Sequence, residues 1–288
     1  MTEHQIPTPP QAASTRPGRA ARPIMIATAC VGGLALLGIG TSAAYSAAGT
    51  RVASVSDASA TSISVDGITD LDLDLSIAEF TLEYGPVDEA ELRVAGTHTD
   101  RWVLKRDRDT LVVASPSRLG GGSCFLGFCP PDRTARMTGT LTLPEELRQR
   151  PLNTEVEVSV GSFTADGSFG DVSVDVGAGE ATIAGAASTL EVTVGVGTFT
   201  GELSDVSAAA FEVSLGEIRT TLSGDAPDTI TAEVGTGSID LRLPDEDYRV
   251  DASVELGDVT NRLRTSSDAK HLITADVSLG ELTLRPLR

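Results

Sequence analysis

"VSLGE" stands twice in this chain, at residues 213–217 and 277–281, inside the frames "FEVSLGEIRTTL" and "TADVSLGELTLRPL". Alignment on its glycine brings up further copies: "VEVSVGSF" at Gly161, "VSVDVGAGEATI" at Gly177 and "LEVTVGVGTF" at Gly195. "ITAEVGTGSIDL" comes next at Gly235 and "VDASVELGDV" at Gly257, while VSLGE itself supplies Gly216 and Gly280. The seven glycines are spaced by 16, 18, 21, 19, 22 and 23 residues. An upstream copy, "LDLDLSIAEFTL", carries Ala78 in the glycine slot. A period of this length marks a chain that stacks one supersecondary unit many times.

Each unit alternates apolar and polar residues up to its glycine, as in Val156, Val158, Val160 and in Phe211, Val213, Leu215. Val172, Val174, Val176 and Ile273, Ala275, Val277, Leu279 repeat the pattern. Period two is the signature of a strand with one buried face. Past the glycine the inward series resumes three residues on: Val160 to Phe163, Leu215 to Ile218, Leu256 to Val259, Leu279 to Leu282. A straight strand would turn those later residues outward, so a bend at the glycine is expected.

Two short strands joined by a corner cannot bury an apolar face alone, and stacking equivalent units in parallel does so. The expected fold is all-β: a parallel β-solenoid of Gly-cornered repeats over residues 151–288, with seven rungs stacked in chain order. An antiparallel β-sandwich of regularly spaced strands is the competing arrangement. Residues 62–150 hold the first repeat strand and a capping region with a cysteine loop. There "ELRVAG", "RWVLKR" and "TLVVAS" read as strands, the last two as a hairpin covering the amino-terminal end of the stack.

The 288 residues carry a net charge of −19. Residues 151–288 have 24 acids against eight basic residues, a net −16. Such a surface repels nucleic acid, which is excluded as a partner. Residues 24–49 contain no charge and are long enough to span a bilayer as a helix. Arg16, Arg19 and Arg22 precede them, which keeps the disordered, Pro-rich residues 1–23 cytoplasmic and exports the chain from the linker at 50–61 onward. A cleaved secretory signal is the competing reading of "TSAAYSAAG". The anchor reading gives a single-pass protein of the cell membrane with its carboxy-terminal domain extracytoplasmic.

"TGTLTLPEEL" followed by "VEVSVGSFTADGSFGDVSVDVGAGEATIAG" resembles the bacterial adhesin-like β-strand-repeat family, a domain of unknown function, over about residues 62–287. The resemblance implies an envelope-associated, single-pass protein with no catalytic residues to carry over. Some such proteins are linked to envelope-stress operons, and others are grouped with adhesins. The use of only two lysines, Lys105 and Lys270, beside twenty arginines suits a high-GC, actinobacterial source. The insertion "GGGSCFLGFCPP" departs from the family pattern.

In that insertion Cys124 and Cys129 form a C-x4-C pair, expected to oxidise outside the membrane and to add about 2 kcal/mol by closing a small loop. No further Cys or His completes a zinc site there. Phe125, Leu126 and Phe128 between them either tuck against the hairpin near Trp102 or form a contact loop. Asp70, Asp72 and Asp74 share a strand face but meet no complete calcium consensus. His4, His98 and His271 are isolated, and no G-x-S-x-G, H-E-x-x-H or P-loop occurs. No catalytic, metal or cofactor site is expected. The expected function is a non-enzymatic, membrane-anchored β-repeat protein presenting a binding or adhesion surface to an envelope protein or polysaccharide. A sensory component of an envelope-stress system and a β-helix carbohydrate-active enzyme are the alternatives.

Overall fold

The structure, a computed structural model, describes residues 58–96, 98–116 and 137–287. The expected tail at 1–23, the membrane span at 24–49 and the cysteine loop lie outside the described residues. Where valine and leucine alternate with polar residues, one face of each strand can be buried and β-branched side chains fit the pleat. The amino-terminal strands are β1 (Ala58–Ile63), which begins inside the stretch read as a linker, β2 (Asp70–Gly85) and β3 (Ala90–Ala95). Next come β4 (Val103–Asp107), β5 (Thr110–Ala114) and β6 (Thr138–Pro144). The repeats give β7 (Leu152–Ala186), β8 (Thr189–Ser204), β9 (Ala208–Val213), β10 (Glu217–Ser223), β11 (Thr229–Val234) and β12 (Ser238–Leu243). The chain closes with β13 (Asp247–Val254), β14 (Asp258–Asn261), β15 (Arg264–Thr265), β16 (His271–Val277) and β17 (Glu281–Pro286).

Most pairings are parallel, and they build a stack of rungs, each with one strand before a corner and one after it. β2 is a whole rung, in register with the first half of β7 from Asp70↔Asn153 to Leu82↔Ala165. The 35-residue β7 holds two rungs, the second lying 18 residues on, as the approaches of Gly179 to Gly161 and Gly185 to Gly167 show. β8 continues at the same offset, then β9 with β10, then β11 with β12.

Chain order then breaks. β16 and β17 lie directly on β11 and β12, pairing Ile230↔Ile273 and Ile239↔Leu282. β13 and β14 lie beyond them, pairing Val250↔Ile273 and Val259↔Leu282. The expectation of rungs stacked in chain order is corrected here. The physical reason is the inward rank: β17 offers fully buried Leu282 and Leu284, whereas β14 puts Asn261 opposite Leu284. An amide is costly inside a dry stack and cheap at its end. There its Oδ1 accepts the Leu263 N–H at 2.9 Å.

The other end is arranged alike. β2 lies between β7 and a rung made of β5 and β6. β4 closes an antiparallel hairpin on β5, and β3 and then β1 extend antiparallel beyond β6. The first and last rungs of the sequence are therefore each hydrogen-bonded on both sides.

Leucine, valine and alanine fill the inside, each buried Val or Leu side chain contributing about 1.5–3 kcal/mol. Bulk alternates with smallness along the stack: Ala181 sits at the level between Phe163 and Phe199, all at most 1% exposed. Phe80 stacks on Phe163 at 6.4 Å and on Trp102 at 6.0 Å between ring centroids.

Candidate functional site

The corner repeats with one geometry. Four residues separate the last inward side chain before it from the first one after it: Val158 to Phe163, Val176 to Ala181, Val194 to Phe199. Val213 to Ile218, Val234 to Ile239 and Val277 to Leu282 keep the same count. The third of the four is glycine. In stack order this column holds Gly161, Gly179, Gly197, Gly216, Gly237, Gly280 and Gly257, with Ala78 opposite Gly161. Gly179 and Gly197 have φ of 152° and 153°. A Cβ on either would stand 2.0 Å from the carbonyl oxygen of the glycine one rung away. Only glycine meets both demands.

Gly177, Gly195 and Gly235, read from the sequence as corners, stand two residues earlier in the neighbouring column. A Cβ on Gly177 or Gly235 would meet the carbonyl of Ser159 or Ser214 at 2.9 Å. In "VGAGE", "VGVGT" and "VGTGS" two glycines lie two apart, and a two-residue slip leaves the alternation unchanged.

The second of the four residues points out of the stack. Val160 is 51%, Val196 55%, Leu215 63%, Leu279 58% and Leu256 80% exposed. The inward placement expected for Val160, Leu215, Leu256 and Leu279 is corrected. On the outer side of a bend no opposing sheet covers a side chain, so the residue before the corner glycine faces water. Ala178 and Thr236 fill the remaining places of the seven Gly-cornered rungs, which at the ladder spacing run about 29 Å, and half-buried Ile77 of β2 extends the column opposite Val160. The columns beside it are serine or glycine on one side and glycine on the other, with Glu255 as the one charge. VSLGE is this cross-section: buried Val, outward Ser, ridge Leu, corner Gly, then an acid.

Acidic ranks flank the ridge. Before the corner, Glu157, Asp175, Glu212, Glu233 and Asp276 occupy the last outward position of the first strands. After it come Glu180, Glu217, Glu281 and Asp258. Burial pushes the carboxyl of Glu157 up from its ordinary value, and Asp74, Asp175, Glu155 and Asp72 add to the shift. Burial also raises Asp175, and it raises Asp72, where Asp74 adds to the effect and Lys105 opposes it. Like charges in register repel, which is the cost of this face.

The Asp70 rank is instead satisfied internally. Asn153 Nδ2 donates to Asp70 Oδ1 at 3.0 Å, the Asp171 N–H donates to Asn153 Oδ1 at 3.1 Å, and Thr189 Oγ1 donates to Asp171 Oδ1 at 2.7 Å. The Thr69 hydroxyl and then Asn153 hold the Asp70 carboxyl below its ordinary value. Asp70, Asn153, Asp171 and Thr189 line an open depression of ≈ 580 Å³ with Asp72, Glu155 and Glu191. Among the described residues no group of three His, Cys, Asp or Glu side chains is placed to hold a metal ion.

Cys124, Cys129, Phe125, Leu126 and Phe128 lie outside the described residues, in the stretch joining β5 to β6. Trp102, expected to receive them, packs on Phe80. Among the described residues no helix is long and apolar enough to cross a membrane. The ridge is the feature that reading the sequence missed. Its signal was present: an aliphatic residue between Ser or Gly and Gly, recurring where the inward series loses its step.

No family model matches the chain, and no curated protein matches it. Solved structures show likeness at low identity. A candidate cell adhesion protein from Clostridium sporogenes is 12% identical with a TM-score of 0.38, over 81% of this chain and 100% of that one. A candidate lipid binding protein from Parabacteroides distasonis is 13% identical with a TM-score of 0.38, over 79% and 96%. A candidate adhesin from the same species is 9% identical with a TM-score of 0.35, over 80% and 98%.

Proposed function

We propose that this chain is a non-enzymatic protein of the cell envelope. Its β-repeat stack, wound as a β-solenoid and tethered through residues 24–49, presents a binding surface outside the membrane. The corner ridge is the observation that carries this reading. Five aliphatic side chains stand in water at one register position, which a sixth rung fills with Thr236. An apolar row kept exposed in a chain this acidic is a contact surface.

The flanking acids favour a protein partner that carries an apolar row bordered by lysine and arginine. A polysaccharide would find no aromatic platform in the ridge column. The test uses the full chain in detergent with isolated envelope fractions. Leu215→Ser with Leu279→Ser is expected to weaken binding about tenfold while the melting temperature stays in place. Binding that survives both substitutions overturns the assignment of the ridge.

A further inference from the structure

A second surface, separate from the ridge, is the open end of the stack at β13. This strand pairs on one side with β16 from Tyr248 to Val254. On its other side β15 covers only Asp247 and Tyr248. Residues 249–255, "RVDASVE", therefore form a bare edge among the described residues, and a bare edge is a template for another strand. Val254 is 43% exposed although it faces inward in register with the fully buried Val277, and Ala252 is exposed as well.

The direction of the edge hydrogen bonds is fixed by two contacts. The Ser266 N–H donates to the Tyr248 carbonyl at 3.0 Å on the bare side, and the Glu255 N–H donates to the Val277 carbonyl at 2.9 Å on the covered side. By alternation Val250, Ala252 and Val254 turn their N–H and C=O groups to the bare side.

We propose that two copies of this chain join end to end through this edge, β13 pairing antiparallel with β13 of the second copy and Ala252 facing Ala252 across a twofold axis. Charge selects that register among those centred on residues 251–253, and a centre at Val254 lies at the last residue of the strand. Centred on Ala252, Arg249 faces Glu255 of the second copy, Val250 faces Val254, and Asp251 faces Ser253. Centred on Asp251, that carboxylate would face itself; centred on Ser253, Asp251 would face Glu255. Like charges directly opposite in a sheet are unfavourable. Register shifts toward Val250 collide with β15. The pairs Ala252–Ala252 and Val250–Val254 join residues whose backbone groups already point to the bare side. The valines left at the end of one stack then meet those of the other.

The test uses the full chain in detergent, with Cys30, Cys124 and Cys129 replaced by serine. Facing residues in a hydrogen-bonded antiparallel pair lie about 5.5 Å apart at Cα, within disulfide reach. Ala252→Cys is expected to cross-link to a dimer on oxidation. Val254→Cys, about 13 Å from its own equivalent in this register, is expected to stay uncross-linked. By sedimentation, Arg249→Glu or Glu255→Arg alone should raise the dimer dissociation constant about tenfold, and the two together should restore it. Melting temperatures of all variants separate lost pairing from lost folding. A monomer at every concentration, equal cross-linking at positions 252 and 254, or no rescue by the double exchange overturns the proposal.

Discussion

Gly179→Ala places a methyl group where the stack has no space. The new Cβ would lie 2.0 Å from the Gly161 carbonyl oxygen and 3.0 Å from both its carbonyl carbon and its amide nitrogen. All three atoms are backbone, so no side chain can swing away. Restoring ordinary contact means opening the ladder by more than 1 Å, roughly the margin between a made and a lost hydrogen bond. Two corner bonds weakened at about 0.5–1.5 kcal/mol each, and a φ of 152° that costs alanine about 1–3 kcal/mol, sum to roughly 2–6 kcal/mol.

Two controls bracket this value. Gly177→Ala meets the Ser159 carbonyl at 2.9 Å without a left-handed φ and should cost about 1–2 kcal/mol. Gly67→Ala has φ 73° but nothing within 4 Å of its Cβ, so only the backbone term of about 1–2 kcal/mol remains. Urea denaturation of a fragment starting at Ala53, where the compact unit ending at Arg288 begins, gives the three values. A loss at Gly177 equal to or larger than that at Gly179 would refute the corner register.

The ridge assignment makes Leu215→Asp tolerable, within about 0.5 kcal/mol, whereas Leu282→Asp should cost several kcal/mol or prevent folding, because it buries an unpaired carboxylate; denaturation midpoints of the two variants decide. The acidic face sets a pH response. Asp72, Glu157 and Asp175 bind protons more tightly folded than unfolded, so their stabilising contribution is full below the ordinary carboxylate range and fades as pH rises through their raised values. Asp70 runs the other way, and its contribution is lost as pH falls through its lowered value. The melting temperature is expected to rise as pH falls from neutral through the raised carboxyl values to the ordinary carboxylate range and to fall at lower pH, with Glu157→Gln and Asp175→Asn flattening the rise. A melting temperature that falls steadily from neutral pH contradicts the raised values.

The sequence alone determined that the chain is β-rich, and it identified the inward residues along each strand up to the approach to the corner, because period two is a local property of consecutive residues. Val172, Val174 and Val176 could be read from alternation alone, and so could the β4–β5 hairpin around its turn. Two things were decided only in the tertiary structure. At the corner, alternation says that one extra residue is present but not which one. The choice of Gly179 over Gly177, and with it the exposure of Leu215, comes from the approach of one rung's backbone to the next. At the ends, the repeats carry interchangeable apolar patterns, Val250, Ala252, Val254 against Ile273, Ala275, Val277, so similarity among them records no neighbour order. That order is set by the expense of enclosing Asn261, a polar group that only the open end of the stack leaves in water.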